Sequence, residues 1–253
     1  MALPTIVAPE HEIKLVSIPK PVTFRPYLVK EEKLLLMAQA GEDQKEIEKA
    51  VKQIIRNCTN GAVNVDKLPP FDLEYLFLQL RAKSVNNVIE SQFECQNLVQ
   101  IVRGVRDGEV SADGVISDKQ RCGTLVPIVI NIDDIKLVVP EGHTNRVMLT
   151  EEIGVIMKYP ATGVVTETNA DLVAILADSI ESVFNKDGEV WEVAAEEPKA
   201  VAEFVENLSV GQVDKLRPFF ETMPKLSYTF TFKCPKCKYE EEVTLSGLMD
   251  FFD

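Results

Sequence analysis

The spacing of apolar residues changes several times along the chain, and each change predicts an element. Residues 12–29, "EIKLVSIPKPVTFRPYLV", alternate between apolar and polar. That alternation predicts two short strands, which Pro19, Pro21 and Pro26 confine to edges or turns. From 29 to 40 the spacing becomes helical, with Leu34, Leu35 and Ala38 on one face. After a break at Gly41–Asp43 a second helix is predicted over 44–58, where Ile47, Val51, Ile54, Ile55 and Cys58 recur at steps of three and four. This places Cys58 in the core as a small hydrophobe. A third helix is predicted over 68–85, "LPPFDLEYLFLQLRAKSV", entered through Pro69 and Pro70. Its apolar face, Phe71, Leu73, Leu76, Phe77 and Leu80, is broad enough to pack on two sides.

The middle of the chain returns to strand spacing at 87–95 and 124–139, with a Gly-, Asp- and Ser-rich excursion between them. A short strand is expected at 145–149. Residues 166–185 predict a long helix, since Leu172, Val173, Leu176, Ile180, Val183 and Phe184 repeat at helical steps behind a Thr/Asn cap region. Two further helices are expected near 197–208 and 210–222. Then come a strand, a turn carrying "CPKC", a second strand, and a short helix over "LSGLMDFF".

Composition narrows the classes. A chain of 253 residues with 45% hydrophobic and 26% charged residues can bury a substantial core. Its net charge of −13 argues against non-specific nucleic-acid binding, because the phosphates would be repelled. No window approaches the roughly 18 uninterrupted apolar residues of a membrane span. The N-terminal residues lack a secretory pattern, and five cysteines make an uneven set for disulfides. A reducing, cytoplasmic site of synthesis is expected.

The cysteines carry the most specific chemistry. Cys234 and Cys237 are spaced C-x-x-C between two strand-like runs, whereas a thioredoxin-type pair would open a helix. A strand-to-strand turn is the geometry of a zinc knuckle, and zinc then needs two more soft ligands. Cys95 ends one predicted strand and Cys122, followed by a glycine, precedes the next, so each half reads strand–Cys–loop–Cys–strand. About 26 residues separate Cys95 from Cys122, against the usual two to four in a knuckle, yet closing a longer loop costs little more. Three readings stay open: a four-cysteine structural site, thiols that merely pack, and a redox pair at 234/237. The two histidines, His11 and His143, fall in no ligand spacing and read as surface or loop residues. The sequence contains no P-loop, dinucleotide fingerprint, G-x-S-x-G or EF-hand order.

Several segments taken in order resemble the T4-type phage baseplate hub assembly protein or hub subunit family. They are the proline-bearing N-terminal strands running into "YLVKEEKLLLMA", then "FDLEYLFLQLRAKSV", the split "FEC…RCG", and "FKCPKCKYEEEVTLSGLMDFF". The resemblance implies a non-enzymatic role in building a contractile tail. Partners would be other baseplate hub proteins, met in the host cytoplasm during assembly or in the virion tail baseplate, with no nucleic acid, membrane or small-molecule substrate. Phe71, Leu76 and Phe77, together with Phe251 and Phe252, are the expected partner anchors. Cys95, Cys122, Cys234 and Cys237 are the expected ligands of one structural zinc. The alternative is a zinc-binding or thiol-redox enzyme using the C-terminal pair.

The expected fold is α+β, a mostly antiparallel sheet with zinc-ribbon-like cysteine hairpins covered by helices. Residues 1–142 and 223–253 would form one discontinuous domain. Residues 143–222 would be a mainly helical insertion.

Overall fold

The computed structural model describes residues 7–41, 43–102, 117–162 and 172–247. They form an α+β protein in which every strand pair whose register is resolved runs antiparallel. The chain divides into two compact units, 1–87 with 137–226 and 88–136 with 227–253. This division differs from the expected one, because residues 137–226 group with the N-terminal helices and only 227–253 join the central strands.

The larger unit starts with a small hairpin, β1 (His11–Ile13) and β2 (Val22–Phe24), in the proline-flanked segment. Three helices follow, α1 (Val29–Ala40), α2 (Gln44–Cys58) and α3 (Pro70–Ser84). The Asp43 side chain caps α2 by accepting the Lys45 N–H at 2.9 Å. Its three- and four-residue pattern buries Val51, Ile54, Ile55 and Cys58, the last as the period predicts. Burial alone would raise the Glu31 carboxyl, but the Arg25 guanidinium at 3.1 Å and the Leu28 N–H at 2.8 Å hold it below its usual value. Helix α3 is enclosed on nearly all sides, with Lys83 its one exposed residue. Its one buried carboxylate, Asp72, accepts the N–H groups of Val16 and Ser17 at 3.0 and 2.7 Å, so the N-terminal chain is tied to it.

The enclosure of α3 corrects the expected partner surface. Phe71, Leu76 and Phe77 are 4%, 0% and 3% exposed, so these three are core residues and offer no anchor to a partner. Phe71 instead meets the Tyr159 ring edge-on at 4.9 Å. Phe251 and Phe252, with the expected short terminal helix, lie outside the described residues. Apolar residues that do face solvent include Val29 and Met37 of α1, 80% and 64% exposed.

Among its described residues, the second half of this unit combines helices with a sheet. It holds a four-stranded sheet of β8 (Arg146–Met148), β9 (Ile153–Met157), β10 (Ile180–Asn185) and β11 (Val190–Glu192), in the order β11-β10-β9-β8. The helices are α4 (Leu172–Ser179), α5 (Pro198–Glu206) and α6 (Val210–Glu221). The long helix expected over 166–185 therefore stops at Ser179 among the described residues. The next six residues, "IESVFN", also satisfy a period of two, with Ile180, Ser182 and Phe184 buried and Glu181 exposed. Pairing with β9 and β11 satisfies their backbone, and tertiary context overrides the helical pattern. Opposite Phe184 stands Gly154, where any Cβ would run into the aromatic ring. Helix α6 opens with a capping box, Ser209 with Gln212. Leu216 and Phe219 of α6 join Leu149, Val155, Met157, Leu176, Ile180 and Val205 in one apolar core. His143, in a loop as expected, lies 2.9 Å from Thr222 Oγ1 and 3.0 Å from the Tyr159 hydroxyl.

Candidate metal centre

The smaller unit is built from hairpins. Strands β3 (Val88–Glu94) and β6 (Leu125–Asn131) pair over their whole length, Val88 opposite Asn131 and Glu94 opposite Leu125. Between them in sequence, β4 (Leu98–Val102) and β5 (Ser117–Arg121) pair as a second hairpin. The excursion expected at 96–121 thus carries strands of its own. The strand expected over 124–139 is interrupted by a tight turn at Ile132–Asp134 before β7 (Lys136–Val138). Strands β12 (Lys225–Lys233) and β13 (Glu240–Ser246) flank the "CPKC" turn, with Lys233 opposite Glu240.

These hairpins bring Cys95, Cys122, Cys234 and Cys237 together, all four sulfurs within 4.8 Å of one another. Two pairs run across the two turns: Cys95 to Cys237 at 3.6 Å, and Cys122 to Cys234 at 3.8 Å. A disulfide would bring sulfurs to about 2.0 Å, and all four thiols are free. Four thiolates about 2.3 Å from a tetrahedral zinc stand roughly 3.8 Å apart. The arrangement could therefore hold a metal ion with little movement. Three of the sulfurs are buried and Cys237 is half-buried.

The two turns share one hydrogen-bond pattern. In the compact turn the Cys234 N–H donates to the Tyr239 carbonyl at 2.9 Å, and the Lys238 N–H donates to the Cys234 carbonyl at 3.0 Å. In the other, the Cys95 N–H donates to the Thr124 carbonyl at 3.0 Å, and the Gly123 N–H to the Cys95 carbonyl at 3.1 Å. The residue after the second cysteine is left-handed in both, Lys238 at φ 61° and Gly123 at φ 61°. The only difference in plan is the β4–β5 hairpin, which enters after Asn97 and leaves at Cys122. The Cys122 N–H closes that neck by donating to the Asn97 carbonyl at 2.8 Å. Residues 95–97 and 122–124 are thus one knuckle with a hairpin inserted into it.

The surrounding dipoles favour thiolates unevenly. The Asn97 side-chain amide donates to Cys237 at 3.6 Å and, with the Tyr239 backbone N–H, draws that thiol down to about 6. The Cys237 and Lys236 N–H groups lower Cys234 against the opposing effect of burial. Burial pushes Cys95 up to about 12. An unmetallated cluster would carry its negative charge mainly on the "CPKC" side, the charge a cation would neutralise. Phe232 completes the buried set, with Phe93, Phe230, Tyr239 and Val243 packed against it.

All four cysteines named from the sequence meet in this cluster. Asn97 was not among them, and no spacing rule would have found it. The glycine after Cys122 was visible, but its equivalence to Lys238 needs the backbone.

From residue 8 to residue 253 the sequence matches the family described as T4 bacteriophage base plate protein. The chain belongs to that family. The match runs through both units of this baseplate protein, including both cysteine turns. No curated protein and no solved structure matches it significantly. Among the described residues of the baseplate protein, no helix is long and apolar enough to cross a membrane.

Proposed function

We propose that this baseplate protein acts in assembling the tail hub, as an assembly factor or hub subunit, by binding other hub proteins. The observation that carries this reading is the family match from residue 8 to residue 253. One structural zinc held by Cys95, Cys122, Cys234 and Cys237 would fix the smaller unit as a zinc-ribbon-like module. The 3.6 and 3.8 Å sulfur separations support that assignment. Four thiolates would fill a tetrahedral shell and leave no position for substrate, which favours a structural role over catalysis. Hub proteins would be met in the host cytoplasm, and the protein would end in, or pass through, the tail baseplate.

The thiol-redox alternative draws on the lowered Cys237 thiol. Against it, Cys234 and Cys237 follow a strand rather than open a helix, and each also contacts a sulfur of the other turn.

The test is to incubate the tagged full-length chain with each baseplate protein of the same phage and weigh the products by native mass spectrometry. A stoichiometric complex with a hub component, and one zinc per chain lost on Cys→Ser at any of the four positions, is the expected result. Binding to no baseplate protein would overturn the hub reading. A metal-free chain that reversibly forms a 234–237 disulfide would favour the redox one.

A further inference from the structure

The sheet of the larger unit is covered unevenly. On the face that bears Val155 and Val183, helices α4 and α6 close over the core with Leu176, Leu216 and Phe219. Toward the edge strand β11 that cover stops. An apolar groove of about 370 Å³ remains, lined by Ile153, Val183, Trp191 and Val193 from the sheet side and by Val201 and Phe204 of α5. Trp191, the only tryptophan in the chain, is 44% exposed there. All three residues of β11 are exposed, and β11 ends the sheet, so a further strand could be added alongside it.

The chain that borders the groove is mainly acidic, with Lys199 following it on α5. From Glu189 to Glu197 the chain carries four glutamates and no lysine or arginine, all four exposed, and Glu196 also lines the groove. An apolar slot bordered by carboxylates selects a complementary ligand, apolar at its centre and cationic at its flanks.

We infer that this groove is a docking site for an extended segment of another baseplate protein, one presenting a bulky aliphatic or aromatic residue flanked by lysine or arginine. The inference rests on the partner-binding function proposed above and names the surface that performs it. The segment lies along β11, its apolar side chain fills the groove against Trp191 and Phe204, and a flanking cation meets Glu196.

The lone tryptophan supplies the readout. A library of random twelve-residue peptides is selected on the full-length chain, and the enriched peptides are titrated while Trp191 emission is recorded. The expected result is a consensus of a bulky apolar residue between basic ones, with a saturable blue shift. Ala200→Phe, at an exposed position lining the groove, is expected to abolish the shift while leaving the thermal midpoint unchanged. Glu196→Lys is expected to weaken binding several-fold. No enriched consensus, an acidic consensus, or equal binding to Ala200→Phe would overturn the inference. So would a concentration-dependent dimer that Ala200→Phe dissolves, since the occupant would then be a second copy. A hub protein that binds the native chain and Ala200→Phe equally well would refute the groove and leave the hub function standing.

Discussion

Leu149, Val155, Met157, Leu176, Ile180, Val205, Leu216 and Phe219 make a core in the larger unit that is wholly apolar. In the smaller unit the cluster at the turns is Cys95, Cys122, Phe232 and Cys234, while Ile89, Ile130, Ile132 and Ile135 are buried elsewhere in it. One unit is held by packed side chains contributed by a sheet and its helices. The other is built largely from hairpins, and a two-stranded hairpin by itself is marginal in water. Below roughly 80 residues a single core supplies only a few kcal/mol, and a metal or disulfides usually make up the difference. The contrast teaches that at the turns of the smaller unit thiols occupy buried positions that the larger unit fills with apolar side chains.

If that contrast is right, removing the proposed metal should divide the molecule. Chelation, or Cys122→Ser, is expected to strip hydrogen-exchange protection from 88–102, 117–136 and 227–247 while the larger unit keeps its own. The effect should be large, because structural zinc contributes apparent binding energies of about 10–16 kcal/mol in small domains. Uniform loss across both units, or no loss in either, would break the comparison.

The reciprocal perturbation is Gly154→Ala. A methyl there overlaps the Phe184 ring across the strand pair, and overpacking of this kind costs about 1–3 kcal/mol. The thermal midpoint of the larger unit should fall with zinc content unchanged. A drop in bound zinc would mean that the units do not hold themselves up separately.

The smallest effect sharpens the comparison between the two knuckles. Lys238 adopts a left-handed backbone that glycine adopts freely at Gly123. Lys238→Gly is therefore expected to stabilise the metal-loaded unit by about 1 kcal/mol, and Gly123→Ala to destabilise it by a similar amount, read from denaturant midpoints. Equal and negligible shifts would show that the φ angles are tolerated for another reason.

What could be read without coordinates follows from how local each signal is. Helix α2 was legible from its three- and four-residue period, and α3 from the prolines at its entry. The four cysteines were legible because soft ligands are rare and each sat at a strand end. Residues 180–185 were not, since "IESVFN" fits both periods and only its partners Ile153–Met157 decide. The burial of Phe71, Leu76 and Phe77 was hidden for a similar reason: a broad apolar face looks the same whether its cover is internal or a partner. The groove beside Trp191 depends on where helices stop, which no stretch of sequence records by itself.

The neck between Asn97 and Cys122 has a meaning beyond the metal. Because a backbone bond of 2.8 Å draws its ends together, whatever lies between them leaves and returns at one point. The flanking strands β3 and β6 keep their register whatever the length of the inserted segment, and each doubling of that length costs only about 0.6 kcal/mol in loop closure. The knuckle is in effect a socket. Related phages could exchange the segment it carries, and an experimenter could replace it with a tag or epitope, without redesigning the scaffold that holds it.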